Sequence, residues 1–220
     1  LMAKKMNIRI APTILTASPD EFQAALVAIN EFTNQVQIDI TDGEFAPSRT
    51  IGLDHVFWPD NWQVDLHMMV KNPSRYIDKL ILMKPHLVIF HAEVEEDLRP
   101  SFEKLRQAGI KVGLALLRQT VPEQKADLIT LVDHVLIFAG DLGRMGGQAN
   151  LLQIQKVRLI RAISPNVEIG WDGGANIDNL PMIIQAGVDV INVGSAISLA
   201  SNPAEAYKAM VELTTREGLI

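Results

Sequence analysis

Three stretches carry residues whose types can do chemistry together: Gln37-Ile38-Asp39-Ile40-Thr41-Asp42-Gly43, Asp65-Leu66-His67-Met68-Met69 and Gly170-Trp171-Asp172-Gly173-Gly174. Each reads as a strand that runs out into polar residues. In the first, Val36, Ile38 and Ile40 alternate with Gln37, Asp39 and Thr41, and a period of two places the polar three on one face. An aspartate there needs a partner, because losing its hydration is costly unless hydrogen bonds, a cation or a proton compensates. If the three strand ends share one mouth, Asp39, His67 and Asp172 support two chemistries. As ligands, two carboxylates and an imidazole suit a divalent ion such as zinc, manganese or iron. As an acid and base pair, two carboxyls on opposite faces of a substrate remove a proton from carbon and return one on the other side. Their mutual repulsion raises the pKa of one, so the pair can hold a single proton.

Neighbouring residues read differently. Asp42-Gly43 is turn chemistry, and Asp42 is expected to orient its neighbours. His91, in Phe90-His91-Ala92-Glu93, either lines the same pocket or bonds to Glu93. His55, His86 and His134 read as surface or strand-start residues without a role. Trp58 and Trp62 read as packing, and Trp171 crowds the strand beside Asp172.

The elements that must position these residues follow one rhythm. Strands are expected at 8–15, 36–41, 63–69, 87–91, 110–116, 135–139, 167–171 and 188–193. Helices are expected at 19–32, after Asn72-Pro73, at 95–108, 121–131, 151–163 and 177–186, and after Asn202-Pro203, with an indistinct helical turn at 53–58. Ser18-Pro19-Asp20-Glu21 supplies an N-cap, a proline at the first helical position and a capping-box acid. About eight strands alternating with about eight helices argue for parallel strands with right-handed crossovers, and eight repeats favour closure into an α/β fold of the (β/α)8 TIM barrel type. In such a barrel the chemistry sits at the carboxyl ends of the strands, where the unusual polar residues fall.

Composition bounds the remainder. With 220 residues, 48% of them hydrophobic, the chain can bury one large core, so a single domain is expected over residues 8–220, after an extension at 1–7 expected to be disordered. There is no cysteine, which removes disulfides, thiolate metal sites and cysteine nucleophiles and suits a reducing cytoplasm. A net charge of -6 argues against general nucleic-acid binding. The first residues carry no apolar run suited to a signal peptide, and the most apolar region, 80–94, is interrupted by Lys84, Pro85 and His86, so no membrane span is expected. The expected setting is cytoplasmic.

Glycines cluster after the last three strands, in Gly146-Gly147-Gln148, Gly173-Gly174 and Gly194-Ser195. Glycine lets backbone N–H groups approach an anion, and a short helix starting at Ser195 would direct its positive end there, so the three motifs together suggest a phosphate site. Singly, each is equally well a tight turn.

At this point the chain resembles the ribulose-phosphate 3-epimerase family, from about residue 10 to 206. The resemblance is carried in order by Pro12-Thr13-Ile14-Leu15, the 39–43 and 65–69 stretches, Asn72-Pro73, His91-Ala92-Glu93, Lys111-Val112-Gly113-Leu114-Ala115, Gly146-Gly147-Gln148, Asp172-Gly173-Gly174 and Gly194-Ser195-Ala196-Ile197. It implies a (β/α)8 barrel that interconverts ribulose 5-phosphate and xylulose 5-phosphate through an enediolate, usually with a divalent metal, and a homo-oligomer is expected. By position it makes Asp39 and Asp172 the acid and base residues and metal ligands, and His67 a third ligand beside the substrate. Thr13 stands in place of a substrate-facing serine. Gly146, Gly147, Gln148, Gly173, Gly174, Gly194 and Ser195 would hold the phosphate, and Met69 would shield the enediolate.

The departures concern metal and lid. Gln37 stands where the family has its first metal histidine; an amide carbonyl can coordinate a cation but lacks imidazole basicity, so zinc affinity is expected to fall, or the metal to differ or be absent. Thr41 replaces a methionine, and Gly140-Asp141-Leu142-Gly143-Arg144-Met145 replaces a Pro-Gly-Phe lid, with Arg144 either reaching an anion or lying in solvent. Two other readings stay open: a phosphosugar binder without turnover, and an epimerase of another ketose phosphate. An aldolase or decarboxylase would want a lysine at a strand end, and strands two, three and seven offer none.

Overall fold

The computed structural model describes residues 8–215. Eight parallel strands close into a barrel in sequence order: β1 (Arg9–Ile14), β2 (Gln35–Thr41), β3 (Gln63–Met69), β4 (Leu87–His91), β5 (Lys111–Leu116), β6 (His134–Phe138), β7 (Glu168–Asp172) and β8 (Val190–Val193). Closure is made by β1, which pairs with both β2 and β8. The helices are α1 (Pro19–Ile29), α2 (Ile77–Met83), α3 (Arg99–Gln107), α4 (Ala126–Ile129), α5 (Gln155–Ile163), α6 (Leu180–Gln185), α7 (Ser195–Ser198) and α8 (Pro203–Thr215). Between β2 and β3 there is only a 3-10 turn, Leu53–His55. Among the described residues no helix is long and apolar enough to cross a membrane. The expected extension at 1–7 lies outside the described residues.

Pleating divides each strand between two environments. Val36, Ile38 and Ile40 of β2, and Val64, Leu66 and Met68 of β3, join the large apolar cluster. Their alternate neighbours Gln37, Asp39, Thr41, Asp65, His67 and Met69 are also buried, on the opposite face. A separate small cluster, Leu87, Ile89, Ala115 and Leu136, fills part of the barrel interior.

Several helix starts differ from the sequence pattern. The helix expected from residue 95 begins at Arg99, and the one expected from 177 begins at Leu180. The reason is shared: Pro100 and Pro181 are tolerated only in a first turn, since proline lacks the N–H and clashes with the preceding turn. The segment expected as one helix at 121–131 is a 3-10 turn followed by the single turn of α4. Asn72 makes no side-chain cap. Ser18 does cap α1, accepting from Glu21 N at 3.3 Å, yet the Glu21 carboxylate takes the Thr16 hydroxyl at 2.5 Å instead of completing a capping box.

His134 is a strand start, as one of the two expected alternatives had it, and not a surface residue. It starts β6 but is only 1% exposed, because it turns into the amino-terminal floor of the barrel, where Nδ1 lies 2.8 Å from Glu168 Oε2. Arg9 donates to Glu168 Oε1 at 2.6 Å. Burial would raise the Glu168 pKa, but the His134 hydrogen bond and the charges of His134 and Arg9 prevail and lower it to about 2. A depressed carboxyl pKa stabilises the fold above the unfolded value of about 4.3, and this contribution is lost as pH falls toward the folded value. Glu168→Gln is therefore expected to lower stability at pH 7 by about 2 kcal/mol. The gap between variant and parent should narrow between pH 4.5 and 2 by about the same amount, as read by urea unfolding at a series of pH values.

Candidate functional site

The side chains that approach one another at the carboxyl mouth come from strands that are not all neighbours. Asp39 and His67 are paired in register on β2 and β3. Asp172, the last residue of β7, is separated from them by β8 and β1 and meets them only across the interior. Ligand atoms of Asp39, His67 and Asp172 all lie within 4.8 Å of one another. His67 Nδ1 is 3.1 Å from Asp39 Oδ1 and 3.3 Å from Asp172 Oδ2. Gln37 Nε2 bridges the same two oxygens, donating to Asp39 Oδ1 at 2.9 Å and Asp172 Oδ2 at 2.7 Å. His67 and Gln37 are fully buried, and the two acids are each 7% exposed.

Electrostatics follow from this crowding. Burial and the Asp172 charge raise the Asp39 pKa to about 6, against the opposing hydrogen bonds of His67 and Gln37. Burial alone would discharge His67, but its hydrogen bonds and charge interactions with Asp172 and Asp39 raise its pKa to about 9. At neutral pH the cluster therefore holds a proton on His67 between two acids.

The donor set fits a divalent ion. Two carboxylates and an imidazole suit zinc, manganese or iron. Gln37 Oε1 is buried with no hydrogen-bond partner. Turning its amide would exchange Oε1 for Nε2, directing a carbonyl oxygen at the two carboxylates. That orientation is repulsive without a cation and supplies a fourth oxygen ligand with one.

Around the cluster lies a cleft lined by Thr13, Asp39, Met69, Phe138, Asp172 and residues of the last three strand-to-helix loops, including Gly146, Gly147, Gly173, Gly174, Gly194 and Ser195. Gln148 is exposed and lines the adjoining depression with Asn176 and Asn179. Two of these glycines are required by the chain itself: a Cβ on Gly173 would lie 2.1 Å from Gly140 N, and one on Gly174 2.1 Å from Ala149 N. Gly194 differs, with φ -88° and nothing nearer than Met145 at 3.8 Å, so the open space there has no packing reason.

Asp42 accepts from the backbone N–H groups of Glu44, Phe45 and Lys71 and so ties the β2 loop to the end of β3. His91 reaches His67, with Nε2 to Nε2 at 2.8 Å, and also lies 3.4 Å from Glu93. Arg144 is exposed and lines the cleft. The sequence reading missed Phe45 and Phe138, whose rings pack on His91 at centroid distances of 4.8 and 6.0 Å, and Asn192, which is paired in register with Asp172. Asn192 Oδ1 and Thr13 Oγ1 are buried without partners. The available signal for Asn192 was an amide inside the apolar strand Val190-Ile191-Asn192-Val193.

The fold and site define a class: a single parallel barrel with an acidic, histidine-containing mouth beside glycine-rich loops. Residues 9–198 match the sequence pattern of the ribulose-phosphate 3 epimerase family. A ribulose-phosphate 3-epimerase of Mycobacterium leprae is 32% identical over 215 residues, 93% of this chain and 94% of that protein. One from Helicobacter pylori is 30% identical over 86% of this chain and 90% of its own length. Among solved structures, 3-hexulose-6-phosphate synthase from Salmonella typhimurium shares the fold with a TM-score of 0.73 at 15% identity, covering 94% of this chain and 98% of that one. The chain belongs to the ribulose-phosphate 3-epimerase family.

Gln37→His should exchange an amide for a basic imidazole at the edge of this donor set. Zinc affinity measured by calorimetry is expected to rise at least tenfold; an unchanged affinity would place Gln37 outside the metal site.

Proposed function

We propose that the chain epimerises a ketose phosphate at C3, interconverting ribulose 5-phosphate and xylulose 5-phosphate through an enediolate. The observation that carries this reading is the Asp39 and Asp172 pair, buried, mutually close and opening on a cleft with a glycine-rich rim. Family membership supports the same chemistry.

In this reading one carboxylate removes the C3 proton, and the electron pair left behind is delocalised onto the neighbouring carbonyl as an enediolate. The other carboxyl, protonated, delivers a proton to the opposite face of C3, and the reverse reaction exchanges their roles. The pair needs one proton between two acids, and the raised Asp39 pKa favours that state. A divalent ion held by Asp39, His67 and Asp172, with the Gln37 carbonyl turned inward, would supply positive charge beside the developing oxyanion. Met69 and Phe138 line the cleft and would exclude water from the enediolate. Thr13 Oγ1 and Asn192 Oδ1, unpartnered and close to the mouth, are suited to substrate hydroxyls. The phosphate would lie against Gly146, Gly147, Gly173, Gly174, Gly194 and Ser195, with Gln148 at the outer edge.

Gln37 motivates one competing reading, a phosphosugar binder without turnover. Its signature would be thermal stabilisation by ribulose 5-phosphate with no proton exchange. The discriminating experiment is incubation with ribulose 5-phosphate in deuterated water, with and without manganese or zinc, following the C3 proton by NMR. Epimerisation predicts loss of that signal with xylulose 5-phosphate appearing. Asp39→Asn and Asp172→Asn are each expected to lower the exchange rate by about 1,000-fold or more while the protein stays folded; substantial exchange in either variant would remove that residue from the acid and base pair.

A further inference from the structure

His67 presents its two ring nitrogens to different surroundings. Nδ1 faces Asp39 and Asp172, whereas Nε2 lies 2.8 Å from His91 Nε2. Two imidazole nitrogens at that separation share one proton, so one ring donates and the other accepts. The far end of His91 decides which. Its Nδ1 is 3.4 Å from Glu93 Oε2, within ion-pair range but without hydrogen-bond geometry, and among the described residues neither atom has a hydrogen-bond partner. The other oxygen of Glu93, Oε1, already accepts from Leu117 N at 3.0 Å and from the Thr120 hydroxyl at 2.5 Å.

A carboxylate only accepts, so the proton between His91 and Glu93 belongs on His91 Nδ1. Neutral His91 then offers a lone pair at Nε2, and the proton between the two rings sits on His67 Nε2. The reverse arrangement would set the His91 Nδ1 lone pair against a carboxylate in a dry site. Dryness is supplied by Phe45 and Phe138, which pack on the histidine pair, and by Ala115, the small residue paired with His91 in register. The low local dielectric strengthens the His67–His91 hydrogen bond and the attraction between His91 and Glu93 alike.

We infer that His91 and Glu93 are positioning residues that keep a proton on His67 Nε2, so that a cation bound between Asp39 and Asp172 takes the place of the Nδ1 proton and meets Nδ1 of the neutral ring as a donor atom. The inference rests on the metal-binding part of the function proposed above. It extends the usual pairing of a metal-ligating histidine with a carboxylate by one inserted imidazole.

Glu93→Gln tests it with almost no change of volume. Leu117 N and Thr120 would keep the amide oxygen, which leaves the NH2 group facing His91 Nδ1. That reverses every donor in the chain and puts the His67 proton on Nδ1. Zinc affinity of the full chain, by calorimetry, is expected to fall about 10- to 100-fold, and long-range 15N–1H NMR should find Nε2 protonated in zinc-loaded parent protein. His91→Phe should lose affinity similarly, and His91→Gln, whose amide oxygen can replace Nε2 as acceptor, should recover most of it. Folded Glu93→Gln with unchanged zinc affinity, no zinc binding by the parent, or an Nδ1-protonated His67 in the zinc complex would each overturn the inference. Ribulose 5-phosphate turnover is scored separately. Zinc binding that depends on Glu93 without turnover would sustain the relay and reject the epimerase, and turnover with zinc affinity indifferent to Glu93 would do the opposite.

Discussion

Two carboxylates that share a dry barrel mouth cannot both stay charged without a positive partner, and much of this molecule is arranged around that constraint. Asp39 and Asp172 converge from β2 and β7 because the sheet closes, and Gln37 Nε2 and His67 Nδ1 then donate to both of them. The amide supplies dipole but no charge. Its Oε1 is left buried without a partner.

The two ends of the barrel treat their acids in opposite ways. At the floor, the Glu168 carboxylate accepts from Arg9 and lies against His134 Nδ1, and its pKa falls to about 2. At the mouth acids are in excess, and the Asp39 pKa rises to about 6. The same low dielectric produces both results, because it amplifies whichever imbalance of charge the neighbours leave. A matched network stabilises the fold. An unmatched one stores a group near neutrality where protons can move.

The rim loops obey a packing constraint of their own. Gly173 and Gly174 adopt positive φ and lie too close to Gly140 and Ala149 for any side chain. These contacts tie the loops after β6 and β7 together and hold the cleft open beside Gly194, where space remains. Asp42 does a similar service on the other side by binding three backbone N–H groups.

Much of this was legible along the chain. Period-two alternation placed Gln37, Asp39 and Thr41 on one face of β2, and the repeated strand-helix rhythm implied a closed parallel barrel, which is the fold observed. Helix starts were less legible: Pro100 and Pro181 delay α3 and α6, since apolar spacing does not reveal where the first-turn N–H groups must be surrendered. His134 read as a surface or strand-start residue and does start β6, but its burial against Glu168 follows from the barrel floor and not from its place in the strand. Sequence order says which face of its own strand a residue occupies; it carries no distance between strands separated by over a hundred residues. The bridging of Asp39 and Asp172 by Gln37 was therefore decided only by tertiary structure, where closure of the sheet brings β2 and β7 within hydrogen-bonding reach across the barrel mouth.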